Sequence, residues 1–243
     1  MDKHKLNSFI DKYSLGGNVE SVKWSVSKDS LRTSFVSDDK TLLGNVKYNG
    51  IGFSEGEYCI YTTSQLKRLL SVLDTNINVL VCCRKERNYS LGMTDDATML
   101  EYILSEESII PKPPKLRQTP EFEASIKISD SFVSRFIKSK VALPDETNFT
   151  VVTDELTDKL QIIIGHSNAM ATNKITFDVE TVNGESSNLE HISFSSDHMK
   201  EILVANRDMT KGTLDISPAG LAKVTIEGVD FKSIYYLVQT QTT

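Results

Sequence analysis

Apolar positions along the chain follow two rhythms. Leu6, Phe9, Ile10 and Tyr13 recur at the spacing of one helical face, as do Leu66, Leu69, Leu70 and Leu73. Phe132, Val133, Phe136 and Ile137 form a third such stripe, and Met199, Ile202 and Leu203 a fourth. Each predicts an amphipathic helix with a polar outer face. Residues suited to N-capping precede the last three: Thr62 or Thr63, Ser129 or Asp130, and Ser195 or Ser196. Between the helices the pattern becomes strand-like. Val22-Trp24-Val26, Leu160-Ile162-Ile164 and Ile175-Phe177-Val179 alternate, and Val79 to Cys83 and Tyr235 to Val238 are short apolar runs. Asn49-Gly50 and Asn183-Gly184 carry the dipeptide that favours tight hairpin turns. Gly16-Gly17 reads as a helix C-cap.

The pattern repeats. Moved by about 133 positions, Tyr61 falls on Phe194, Leu66 on Met199, Leu69 on Ile202 and Leu70 on Leu203. The same register takes Leu91 to Val224, Met93 to Ile226, Tyr102 to Tyr235 and Leu104 to Leu237. Leu6, Phe9 and Ile10 meet Val133, Phe136 and Ile137 at a slightly shorter offset, and Val46 and Tyr48 meet Ile175 and Phe177. Loop insertions account for such drift. The chain is therefore expected to be two copies of one α+β unit, residues 1–105 and 123–243. They are joined by a linker over 106–122 that holds four of the six prolines and favours extended backbone.

Composition narrows the chemistry. Of 243 residues, 39% are hydrophobic and 25% charged, as in ordinary globular domains. No apolar run approaches the ~20 residues of a membrane helix, and no secretory signal is visible after Met1. Cys59, Cys82 and Cys83 lack metal-ligand spacing and read as reduced, with Cys82-Cys83 buried in an apolar run. No glycine-rich phosphate loop, nucleophile elbow or zinc-protease motif occurs. Asp38-Asp39 and Asp95-Asp96 suit turns better than metal binding. No catalytic residue, metal or cofactor is expected, and the protein is not expected to be an enzyme.

The formal net charge of −6 argues against simple phosphate binding unless charge is segregated. On the helices it is. Lys5 and Lys12 flank the first stripe, and Lys67 and Arg68 lie beside or opposite the second. Arg135 and Lys138 lie opposite the third, while Lys200 and Arg207 compete with Asp197, Glu201 and Asp208 on the fourth. The acidic residues gather in the predicted turns and the linker.

This layout of repeated helix-plus-strand units, the linker with Ile109-Ile110-Pro111 and the ending Ile234-Tyr235-Tyr236-Leu237-Val238 resembles the DNA polymerase sliding clamps. It is most similar to the two-domain clamps of T4-type phages, archaea and eukaryotes, over essentially the whole chain. The resemblance implies a homotrimeric ring with two helices per domain on its inner face and antiparallel sheets outside. Such a ring encircles double-stranded DNA without reading its sequence, is placed by a clamp-loader ATPase and tethers the DNA polymerase as a processivity factor. It also implies DNA-facing roles for Lys5, Lys12, Lys67, Arg68, Arg135, Lys138, Lys200 and Arg207. A partner-peptide pocket would use Ile109, Ile110, Pro111, Tyr236, Val238 and Gln239. The location implied is cytoplasmic, in the host cell's cytoplasm for a phage protein. Two other readings stay open at this level: a viral structural or interaction protein, and a monomeric processivity factor of similar fold.

Overall fold

A computed structural model of the chain describes residues 1–84, 87–114, 116, 118–154, 156–165, 173–182 and 189–240. The architecture is α+β, and the chain divides into two compact units. Unit 1 comprises Met1–Pro114 with Asp230–Ser233; unit 2 comprises Lys115–Val229 with Ile234–Thr243.

Unit 1 runs α1 (Lys3–Ser14), β1 (Val22–Ser27), β2 (Ser30–Val36), β3 (Leu42–Asn49), β4 (Gly56–Ile60), α2 (Thr63–Leu70), β5 (Asn78–Arg84), β6 (Arg87–Thr94) and β7 (Met99–Ile103). Its strands pair antiparallel in the orders β4-β1-β2-β3 and β5-β6-β7. The side chain of Asp2 caps α1 by accepting from the His4 N–H (2.8 Å). The predicted stripe, Leu6, Phe9, Ile10 and Tyr13, is buried. Phe9 and Tyr13 meet Trp24 of β1 edge-on, at centroid distances of 5.6 and 6.3 Å. Trp24 lies on the inward face because β1 alternates Val22, Trp24 and Val26 inward against Lys23, Ser25 and Ser27 outward.

Three local expectations need correction. The left-handed turn after α1 starts on Leu15 (φ 47°), one residue before Gly16-Gly17. That conformation costs a non-glycine residue ~1–2 kcal/mol, which burial of the whole leucine side chain, worth ~1.5–3 kcal/mol, offsets. Asn49-Gly50 makes no two-residue hairpin. Gly50 (φ 71°) instead donates its N–H to Asp29 O (2.8 Å), and the next strand, β4, pairs with β1. Cys82 and Cys83 are exposed, on a strand with one neighbour among the described residues; Cys59 is buried, which raises its thiol pKa. The Asn183-Gly184 turn lies outside the described residues.

Unit 2 runs β8 (Ala124–Lys127), α3 (Asp130–Ala142), β9 (Asn148–Asp154), β10 (Lys159–Ile164), β11 (Ile175–Asp178), β12 (Ile192–Ser195), α4 (Ser196–Ala205), β13 (Lys211–Ser217), β14 (Leu221–Glu227) and β15 (Phe231–Val238). The order β12-β9-β10-β11 repeats β4-β1-β2-β3, and β13-β14-β15 repeats β5-β6-β7. The α1–α2 pair likewise returns as α3–α4. The repeat read from apolar spacing is thus a repeat of topology. Ser129 and Ser195 cap α3 and α4, accepting from the N–H groups of Phe132 (3.3 Å) and His198 (3.2 Å). The core centres on Phe136, Phe149 and Phe194.

The paired carboxylates form turns. Asp95 accepts from the backbone N–H groups of Asp74 (2.8 Å), Ala97 (2.9 Å) and Thr98 (2.6 Å), closing the β6–β7 hairpin onto the end of α2. These bonds favour the carboxylate and lower its pKa from 3.8. A lowered folded-state value means that the stabilisation is present above pH 3.8 and disappears as pH falls through the lower folded pKa. Asp95→Asn is therefore expected to lower the Tm at neutral pH, and the gap from wild type should close in acid. A gap independent of pH would exclude the charged hydrogen bonds as its source.

Candidate nucleic-acid interface

The candidate basic residues fall into distinct environments. In unit 1, Lys5 on α1 pairs with Asp230 at 2.7 Å, and that bond raises its pKa. Lys67 on α2 reaches back to Asp11 of α1. Arg68 is exposed and has no ion pair among the described residues. Lys12 cannot face a ligand: it is 1% exposed, donates to Ser8 Oγ (2.8 Å) and lies 4.0 Å above the Phe231 ring. The helical wheel placed Lys12 at the flank of the stripe. Phe231, 219 positions later in the chain, covers that flank, and its ring face stabilises the ammonium.

In unit 2, Arg135 and Lys138 are exposed on the outer side of α3, one turn apart. Lys200 on α4 is half-buried and pairs with its neighbour Glu201 (3.4 Å). Arg207 is exposed but follows the end of α4, whose C-cap is Asn206. Lys140, at the last turn of α3, was not singled out from the sequence. It is buried, donates to the carbonyls of Pro144 and Glu146 (2.8 Å each) and pairs with Asp197 of α4 at 3.0 Å. This ties α3 to α4 and neutralises one acidic group on the α4 surface. The residual positive charge on the helix faces therefore rests mainly on Arg68, Arg135, Lys138 and Arg207. Such a sparse set suits weak contact with phosphates and no reading of bases.

The pocket candidates also separate. A short helical turn at Glu107–Ile109 leads into the proline-rich segment. Lys23, on the outward face of β1, pairs with Glu57 (2.9 Å) and Glu107 (3.2 Å), and both contacts raise its pKa. Ile110 is buried while Ile109 is 53% exposed. Ile110 and Pro111, with Pro113, Lys23, Ser25 and Ser34, line a groove of about 260 Å³. Pattern analysis missed the three strand residues, because an outward strand position shows only that it is polar. Tyr236, Val238 and Gln239 belong to unit 2. Tyr236 is half-buried with its phenol pKa raised by desolvation, Val238 is exposed, and Gln239 donates its N–H to Gly220 O (2.9 Å).

Many solved structures match this architecture, and two of them do so over nearly their whole lengths. One is "C-terminal region of FEN-1 bound to A. fulgidus PCNA", with a TM-score of 0.76 at 15% identity, covering 100% of this chain and 98% of that one. The other is the proliferating cellular nuclear antigen of Entamoeba histolytica, with a TM-score of 0.73 at 11% identity, covering 99% and 96%. The chain has the sliding-clamp fold. At these identities the likeness is one of fold. No protein-family model and no curated protein sequence matches the chain. Within the clamp fold, Arg68 is presented by the α1–α2 pair of one unit and Arg135 and Lys138 by the α3–α4 pair of the other. Among the described residues no helix is long and apolar enough to cross a membrane.

Proposed function

We propose that the chain is a DNA sliding clamp: a non-enzymatic ring that encircles duplex DNA and tethers the replicative polymerase. The observation that carries this reading is a clamp unit present twice, each copy with an exposed arginine on its helix pair. A net charge of −6 with few free cations on the helices suits topological retention, in which tight contact would hinder sliding. Lys5, Lys67 and Lys200 are then tuned by their acidic neighbours, and Arg68, Arg135, Lys138 and Arg207 make the phosphate contacts.

Open strand edges support closure as a homotrimer. Among the described residues β7 in unit 1 and β11 in unit 2 each have one neighbouring strand. Met99 (71% exposed) and Ile103 (49%) project from β7. Joining β7 of one copy to β11 of the next is a head-to-tail contact, and such contacts make rings when the rotation closes. Residues 1–105 and 123–243 then act as the two domains of each subunit and 106–122 as the connector. A clamp-loader ATPase opens the ring in the cytoplasm.

The A. fulgidus protein of the first matching structure is bound to the C-terminal region of FEN-1. By analogy, partners of this chain, the polymerase among them, dock short peptides on the groove at Ile110 and Pro111. Ile109 adds a contact there, and the Tyr236, Val238 and Gln239 strand end of unit 2 is a separate candidate contact for partners.

The test is retention on DNA. The loaded protein should remain on closed circular DNA and leave linear DNA by its ends; equal, salt-sensitive binding to both would overturn encirclement. The double variant Arg135→Glu, Lys138→Glu is expected to cut polymerase stimulation on primed circles by about tenfold or more, through loss of two phosphate contacts. Its Tm should move little, since exposed substitutions change stability by about ±0.5 kcal/mol. Unchanged stimulation would remove α3 from the DNA path.

A further inference from the structure

The two units cover one sheet edge differently. In unit 2, β8 occupies the outer edge of β13, with Ile126 opposite Leu214 and Ala124 opposite Ile216. Ile128 extends the pairing by donating its N–H to Gly212 O (2.9 Å). Beneath that strand Leu214 and Ile216 are fully buried. The repeat puts β5 in the place of β13 and Val81 in the place of Leu214, and the strand pairings agree: Val81 faces Leu91 as Leu214 faces Val224.

In unit 1 the described residues cover the corresponding edge only at its approach. The Met1 amino group donates to Ile77 O (2.7 Å), Ile77 N–H donates to Met1 O (3.0 Å), and Lys3 N–H donates to Thr75 O (2.8 Å). In an extended strand alternate residues point their N–H and C=O groups to the same side. The backbone groups of Val79 and Val81 therefore face the same edge as those of Thr75 and Ile77. Among the described residues β6 is the only strand paired with β5. The side chains show the same deficit. Val79 and Val81 are only half-buried where Leu214 is fully buried, and Leu80 is 58% exposed. A bulge at Cys82/Cys83 twists the strand and ends the regular edge.

We infer that β5 is a docking edge for an extended segment of another protein, which adds an antiparallel strand along Asn78–Cys82 as β8 does along β13. The chemistry of the segment follows from β8 and from charge. A branched apolar residue lies opposite Val81, as Ile126 lies opposite Leu214. The segment enters from the end of β5 where Arg84 is exposed, with no ion pair among the described residues, so it carries an acidic residue there, in the position of Glu123 before β8. Its far end adjoins the pairing of Met1 with Ile77. The inference does not depend on encirclement, since neither β7 nor β11 takes part.

The probe is a fluorescent peptide copying residues 121–128, Glu-Phe-Glu-Ala-Ser-Ile-Lys-Ile, titrated with the full chain by anisotropy. Saturable binding is expected, with protection of the Val79 and Val81 amides from hydrogen exchange. N-methylation at the first isoleucine of the peptide should weaken binding at least tenfold. Val81→Pro should do the same with far-UV circular dichroism unchanged, because the lost N–H lies outside the β5–β6 ladder. Absence of saturation, equal binding by the N-methyl peptide, or protection confined to β13 would overturn the proposal. Self-association of the chain through β5 in place of peptide binding would overturn it too, since the occupant would then be a second copy. If Val81→Pro does not fold, the exchange and N-methyl measurements on the wild-type chain decide alone.

Discussion

Lysines at both Met99 and Ile103 are expected to convert trimers into monomers and abolish retention on circular DNA. Both side chains project from β7, which has one sheet neighbour among the described residues, at 71% and 49% exposure, and in the proposed ring they are covered by β11 of the next copy. Burying side chains of this size contributes ~1.5–3 kcal/mol each when complete, and each 1.4 kcal/mol is about tenfold in affinity. Losing even half of both, and adding two charges to be desolvated, should weaken each contact by roughly 100-fold. Light scattering at micromolar concentration reads the subunit number, and a polymerase assay on primed circles reads the consequence. The Tm of the monomer should stay close to that of a separated wild-type subunit, because neither side chain is in the core. A double variant that remains trimeric would place the ring contact elsewhere or exclude a ring.

Trp24→Ala is expected to produce the largest loss of stability among single core substitutions in unit 1. Trp24 is fully buried, and Phe9 and Tyr13 meet it edge-on at 5.6 and 6.3 Å. Truncating a buried tryptophan costs about 3–5 kcal/mol, because the cavity collapses only in part. In a unit of this size that corresponds to a fall in Tm of roughly 12–20 °C, measurable by calorimetry or circular dichroism. The contacts at stake hold α1 on β1, so Lys5 and the α1–α2 surface should be lost in the same transition. A cost below ~1 kcal/mol would show that α1 is held from elsewhere, for example through Lys12 and Phe231.

Much of the fold was legible from periodicity because its elements are amphipathic. Phe9 and Phe136 stand on equivalent helices, Leu91 and Val224 on equivalent strands, and both pairs emerge from sliding the sequence against itself. Helix faces could be assigned as soon as their stripes were found, which is how Arg68, Arg135 and Lys138 were placed on the outside. Lys12 shows the limit of that method. A wheel reports the angle of a side chain about its own helix axis, and Phe231 covers that angle from a distant part of the sequence. Cys82 and Cys83 fail for the converse reason. Their apolar run resembles a buried strand, yet no described segment covers the edge on which they lie. The Asn49-Gly50 dipeptide favoured a hairpin locally, but β4 found its partner in β1 instead.

The sequence by itself determined the duplication, the number of helices and their outward faces, because these depend on spacings of a few residues along one chain. It also excluded the common catalytic motifs. Only the tertiary structure decided which charges remain available, because Lys5, Lys67 and Lys140 acquire acidic partners through packing. The same holds for the strand edges. Whether β5, β7 or β11 has a neighbour depends on where other strands go, and hydrogen bonding between strands follows spatial order, which no local pattern encodes.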